Sequence, residues 1–83
     1  PENNKYMKIV INATGKRESD LRLIQQIYGM LHASPGTDRF KFICRENGKD
    51  VEMDFPNDTI HITPALIEKV HNLVGQGNVE VKE

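Results

Sequence analysis

The sequence predicts an α+β domain, a four-stranded antiparallel sheet with two helices on one face. Three observations predict it. Short stretches alternate apolar and polar residues, longer ones repeat apolar residues at helical spacing, and the segments run strand, helix, strand, strand, helix, strand.

Tyr6 to Ala13 is rich in Met, Ile, Val and Tyr, which favours a strand. Met7, Ile9 and Ile11 fall on one face, and Tyr6, Lys8, Val10 and Asn12 on the other. Thr14-Gly15 ends it, and Lys16 and Arg17 lead into a helix opened by Glu18 or Ser19, with Asp20 near its positive end. Leu21, Ile24, Ile27, Tyr28 and Leu31 recur at helical spacing, and Leu23 and Met30 widen the stripe. Gly29 costs such a helix about 1 kcal/mol relative to alanine, which a close approach to the sheet would explain. Ser34-Pro35-Gly36 stops the helix, because proline cannot continue it.

The next segment fixes a register. Phe40, Phe42 and Cys44 alternate with Arg39, Lys41, Ile43 and Arg45. Asn47-Gly48, a strong hairpin signal, follows, and then Val51, Met53 and Phe55 alternate with Asp50, Glu52 and Asp54. A two-residue turn sets Phe40 opposite Phe55, Phe42 opposite Met53 and Cys44 opposite Val51. On the other side Lys41 faces Asp54, Arg45 faces Asp50 and Ile43 faces Glu52. A slip of one residue would undo the apolar face and the charge pairing together.

Pro56-Asn57-Asp58 reads as a loop and Thr59 to Ile62 as a short extended stretch. Thr63-Pro64 reads as N-cap and first residue of a second helix, with Leu66, Ile67, Val70, Leu73 and Val74 on its inner stripe. Gly75 caps it, and Gly77-Asn78 turns into the last strand, Val79 to Lys82. This is a ferredoxin-like βαββαβ order, and right-handed crossovers would place the first and third strands at the centre.

The 83 residues allow one domain, 37% apolar and 28% charged, with a net charge of −1. A protein gripping a nucleic-acid backbone along a whole face should be clearly basic. No apolar run is long enough to span a bilayer, and no stretch has the order of a signal peptide. Cys44 is the single cysteine, so no internal disulfide forms, and a reducing, cytoplasmic setting is expected. The chain begins at Pro1 rather than Met, so residues 1–5 are expected to be a linker or cloning remnant. Residues 6–83 are expected to form the domain, and the chain to be an excised piece of something longer.

No catalytic machinery is expected. His32, His61 and His71 lack helical zinc spacing, and Cys44 has neither a cysteine partner nor a base in view. Asp50, Glu52 and Asp54 share a face that could hold a divalent cation, but Lys41 and Arg45 stand opposite and neutralise two of them. Gly75-Gln76-Gly77 lies at a helix C-terminus, the wrong end for phosphate. The expectation is no catalytic residue, no metal and no cofactor. RNA-binding domains stack bases on outward aromatics; here the phenylalanines share the core face, and the open face offers Tyr6 beside three acids. Lys16, Arg17 and Arg22 form a basic cluster that reads as a solvated helix start.

Five stretches carry a resemblance. They are Leu21-Arg22-Leu23-Ile24 running to Leu31, Ser34-Pro35-Gly36-Thr37-Asp38-Arg39-Phe40, Val51-Glu52-Met53-Asp54-Phe55-Pro56, Ile62-Thr63-Pro64-Ala65-Leu66-Ile67, and Leu73-Val74-Gly75-Gln76-Gly77-Asn78-Val79-Glu80-Val81. In this order the set resembles the extreme C-terminal domain of the bacterial DNA polymerase III alpha subunit. The resemblance implies a parent that is a DNA-directed DNA polymerase, a nucleotidyltransferase whose metal-binding aspartates lie far upstream and map to nothing in this chain. It further implies a place after an oligonucleotide-binding barrel, and a part in contacting the tau subunit of the clamp loader. Because the chain stops at Glu83, such a contact is expected to use a sheet edge or the helix faces. The expected partner surface is Glu68, Lys69 and Asn72 of the second helix with Val79, Glu80, Val81 and Lys82 of the last strand. Nucleic acid is expected to be met only through the parent protein. Two other readings stand beside this one: a ferredoxin-like dimerising or small-molecule-sensing domain, and a weak binder of single-stranded nucleic acid.

Overall fold

Most of the apolar side chains gather on one side of a single sheet, and that side is the core. In the computed structural model, which describes residues 4–83, the elements are β1 (Tyr6–Asn12), α1 (Arg17–His32), β2 (Arg39–Glu46), β3 (Lys49–Asp54), α2 (Pro64–Val74) and β4 (Val79–Lys82). Met7, Ile9 and Ile11 of β1 and Phe40 and Phe42 of β2 meet Ile27 and Leu31 of α1. Leu66 and Val70 of α2 join them, with Ile60 and Ile62 from the stretch before it, so both helices cover the same face. Phe55 stacks on Phe40 with ring centroids 5.4 Å apart and meets Phe42 edge-on at 5.8 Å, separations at which aromatic pairs add to simple burial.

The sheet is mixed, which corrects the antiparallel expectation. Its order is β3-β2-β1-β4, with β1 parallel to β2 and antiparallel to β4, and β2 antiparallel to β3. The centre is therefore β1 and β2, not β1 and β3 as a ferredoxin-like domain would have it. Side-chain chemistry gives the reason. Ile9, Val10 and Ile11 are buried in succession, as suits an interior strand flanked by neighbours on both sides. Val10 is only 7% exposed although it points away from the helices. β3 carries Lys49, Asp50, Glu52 and Asp54 in six residues, charges that water can solvate at an edge. Parallel neighbours need a crossover, and α1 supplies it between β1 and β2.

The hairpin adopts the predicted register from Lys41↔Asp54 through Arg45↔Asp50. Asn47 and Gly48 take φ of 53° and 77°, the two positive values that a type I′ turn demands. One ion pair differs. Lys41 reaches diagonally to Glu52, 3.2 Å away, rather than to Asp54 directly opposite.

Helix ends divide likewise. Thr63 caps α2 as expected, its Oγ1 accepting the Leu66 amide N–H at 3.1 Å, with Pro64 first in the helix. α1 starts earlier than predicted, at Arg17, and neither Glu18 nor Ser19 caps it. Asp20 instead ties the first turn back to the end of β1, accepting the Thr14 amide at 3.0 Å and hydroxyl at 2.7 Å. Leu21 stands exposed outside the core stripe. The close approach expected at Gly29 is absent, since a Cβ there would meet nothing within 4 Å. It occurs at Gly36, where a Cβ would fall 2.7 Å from both the Ile60 carbonyl oxygen and the His61 Cβ.

One strut was not foreseen. Asp38, 8% exposed, exchanges two backbone hydrogen bonds with Ile60, at 2.7 and 2.8 Å. Its carboxylate also accepts the Ile62 amide at 2.9 Å and the Lys5 amide at 2.8 Å. The start of β2, the approach to α2 and the entry to β1 are thus pinned by one side chain. Of the expected linker, residues 1–3 lie outside the described residues. Lys5 is bonded to Asp38 and Arg39, and Asn4 accepts the Thr37 hydroxyl at 3.1 Å.

Candidate functional site

The sheet face away from the helices is lined strand by strand with polar residues. β1 contributes Tyr6, Lys8 and Asn12, β2 contributes Arg39, Lys41 and Arg45, β3 its three acids, and β4 Glu80 and Lys82. Neighbouring strands neutralise one another. Lys8 lies 3.0 Å from Glu80, Lys41 3.2 Å from Glu52, and Arg45 grips both oxygens of Asp50 at 2.8 and 3.1 Å.

The titrations follow from these pairs. Hydrogen bonding by Arg45 holds the Asp50 carboxyl below the usual carboxylate range, and Lys8 does the same to Glu80. Glu52 raises Lys41, and Asp50 raises Arg45. Burial, then the Asp54 charge, raises the Tyr6 phenol. Tyr6 has Lys41 Nζ 5.8 Å from its ring centroid and its hydroxyl 3.5 Å from Asp54 Oδ1. A strand of nucleic acid laid here would find Lys8, Lys41 and Arg45 already engaged by carboxylates and, among the described residues, one aromatic side chain.

The expected partner residues fall on two separate surfaces. Glu68, Lys69 and Asn72 are exposed on α2. Glu68 and Asn72 line a shallow groove of ≈ 360 Å³ with Pro64, Ile67, His71 and Gln76. Glu80 and Lys82 are exposed on the opposite side of the sheet. Val79 and Val81 are half-buried and pack against the core. The structure does not bring the seven residues together, because the sheet stands between the two sets.

No trio of histidine, cysteine, aspartate and glutamate side chains gathers for a metal among the described residues. Cys44 is half-buried with its Sγ 3.4 Å from Met53 Sδ, and burial, then Asp20, pushes the thiol up, which makes it a packing residue. A polar cluster escaped the sequence reading. Tyr28 donates its hydroxyl to Asp58 at 2.8 Å, His32 Nε2 lies 3.6 Å from the same carboxylate, and the two rings lie tilted with centroids 4.5 Å apart. The i, i+4 spacing of Tyr28 and His32 was the available signal. The cluster fastens the loop after β3 to α1, and Asp58 raises the Tyr28 phenol.

No described helix is long and apolar enough to cross a membrane. Compared with known proteins, the chain matches no family profile, no curated protein and no solved structure.

Proposed function

We propose that this is a non-catalytic C-terminal accessory domain of a bacterial replicative DNA polymerase of the DNA polymerase III alpha type. It acts in DNA replication through protein contacts, the tau subunit of the clamp loader being the partner that the resemblance implies. The parent supplies the nucleotidyltransferase chemistry and the contact with nucleic acid, in the cytoplasm, where the thiol of Cys44 stays reduced.

One observation supports the reading above others. Several of the residues that carry the resemblance are ones on which the chain path depends. Gly36 passes against His61, Asp38 pins two backbone segments, and Thr63-Pro64 starts α2. Asn78 closes the turn after α2 by donating to the Val74 carbonyl at 2.7 Å. Similarity that falls on turns, caps and struts in order tracks a backbone path, whereas similarity among apolar positions tracks only composition.

Isothermal titration of the domain against tau, beside the full alpha subunit, tests the proposal. Heat of binding from both supports it, and binding by the full subunit with none by the domain refutes it. Variants at Glu68, Lys69 and Asn72, set against variants at Glu80 and Lys82, then identify which surface is used.

A further inference from the structure

β3 is an outermost strand, with an acidic row on one flank of its free side and exposed apolar side chains on the other. The hairpin decides which backbone groups face outward. Glu46 pairs with Lys49 across Asn47-Gly48, so Lys49, Val51 and Met53 exchange hydrogen bonds with β2. The N–H and C=O groups of Asp50, Glu52 and Asp54 therefore point away from the sheet, with no strand beyond them among the described residues.

The side chains of these three residues form an acidic row on the open face. Arg45 and Lys41 meet Asp50 and Glu52 from the inner side only. Asp54 has no salt-bridge partner among the described residues; its carboxylate accepts the Phe55 amide at 3.0 Å and the Tyr6 hydroxyl at 3.5 Å.

On the helix side the same edge is apolar. Val51 is 61% exposed and Leu21 53%. Tyr28 shares a stripe of α1 with Leu21 at i, i+7, and its ring centroid lies 5.3 Å from that of Phe55, just past the end of β3. α1 and β3 run the same way, because each runs opposite to the parallel pair β1 and β2. Seven helical residues advance about 10 Å and four strand residues about 13 Å. Leu21 and Val51 therefore lie toward the same end of this edge, as Tyr28 and Phe55 lie toward the other.

The geometry points to strand addition at the β3 edge, which receives an extended segment of a partner protein that alternates basic and apolar residues. The segment's backbone continues the ladder through Asp50, Glu52 and Asp54. Its Lys or Arg side chains stand beside the three carboxylates, and its apolar side chains cover Val51 and Leu21 on the other face. β2 already meets β3 from the inner side in a related pattern, with Lys41 and Arg45 opposite Asp54 and Asp50 on the open face and Phe42 and Cys44 opposite Met53 and Val51 on the other. A second copy pairing β3 to β3 would set acid beside acid, which argues against self-association as the occupant. The inference rests on this edge alone and stands or falls independently of the parent polymerase.

The test titrates the whole isotope-labelled chain with the peptide Lys-Val-Lys-Val-Lys-Val-Lys and its Glu-Val counterpart, followed by NMR. The basic peptide should move the amide signals of Asp50, Glu52 and Asp54 and the methyl signals of Leu21 and Val51. Affinity for the acidic peptide should be about tenfold lower or less, the effect of reversing the sign of a few cross-strand pairs. Val51→Lys and Leu21→Lys alter exposed positions, so they should leave the fold intact and weaken binding of the basic peptide about fivefold or more. Equal response to both peptides overturns the inference, as do shifts confined to α2 or β4. So does no response at about 5 mM peptide, a concentration that would reveal even a very weak complex.

Discussion

Replacing Asp38 by alanine removes both carboxylate hydrogen bonds while leaving its backbone exchange with Ile60 in place. The Ile62 amide is buried, and losing its acceptor at 2.9 Å costs about 1–3 kcal/mol. The Lys5 amide is half-buried near the chain start, where water can substitute, so its loss costs about 0.5–1.5 kcal/mol. Together these give a destabilisation of about 2–4 kcal/mol, a large share of the stability of a small domain. Urea unfolding followed by circular dichroism at neutral pH reads it directly. Asp38→Asn is the companion variant: its one carbonyl oxygen can accept one of the two amides while its NH2 meets the other donor, so it should recover part of the loss at most. Acid titration adds a signed test. Burial alone would raise the Asp38 carboxyl, but the Ile62 and Lys5 amides, with the Lys5 and His61 charges, outweigh burial and hold it below the usual range. A lowered folded pKa gives stability that is fully present above the unfolded value of about 3.9 and is lost as pH falls through the folded pKa. The gap between the native chain and Asp38→Ala should thus be constant above about pH 5 and narrow below pH 4. A destabilisation under about 0.5 kcal/mol, or a gap that widens in acid, refutes the strut.

Other substitutions test other parts of the fold. Gly29→Ala should stabilise by about 0.5–1 kcal/mol, because the site is helical and open, and a fall in urea midpoint would contradict that. Gly36→Ala should cost about 1–3 kcal/mol, since the new methyl meets backbone that cannot step aside, and an unchanged midpoint would show that the loops slide. The Cys44 thiol should react slowly with a disulfide reagent at neutral pH and rapidly in urea, and fast native labelling would show that it is open.

The hairpin was legible in the sequence because two independent patterns, apolar alternation and opposite charge, agreed on one register. The cap at Thr63 was legible for the same reason, a side-chain acceptor followed at once by proline. Strand order was not legible from element order alone, because βαββαβ is compatible with more than one order. The deciding signal is the density of charge in β3, which suits an edge, whereas β1 is central in either order. Asp38 was missed because its partners are the amides of Ile62 and Lys5, 24 and 33 residues away, and backbone groups carry no sequence signature. The expected partner surface joined α2 and β4 because they adjoin in sequence. A sheet separates what the chain connects, and only the face on which each side chain emerges shows it.

The acids of β3 act in three directions at once. Toward β2, Asp50 and Glu52 meet Arg45 and Lys41, which favours the observed pairing. A slip of one residue would turn Asp50, Glu52 and Asp54 onto the helix side, beside Phe42 and below α1, where unpaired charge is costly. Away from β2, the same carboxylates repel a second acidic edge, the usual defence of an exposed strand. That defence is selective rather than complete. It discourages copies of this chain and leaves the edge open to a strand of opposite charge, provided its apolar side chains can shield Val51 and Leu21. The exposure of those two side chains is what separates the edge from one that is merely protected, since charge alone would have needed no apolar flank.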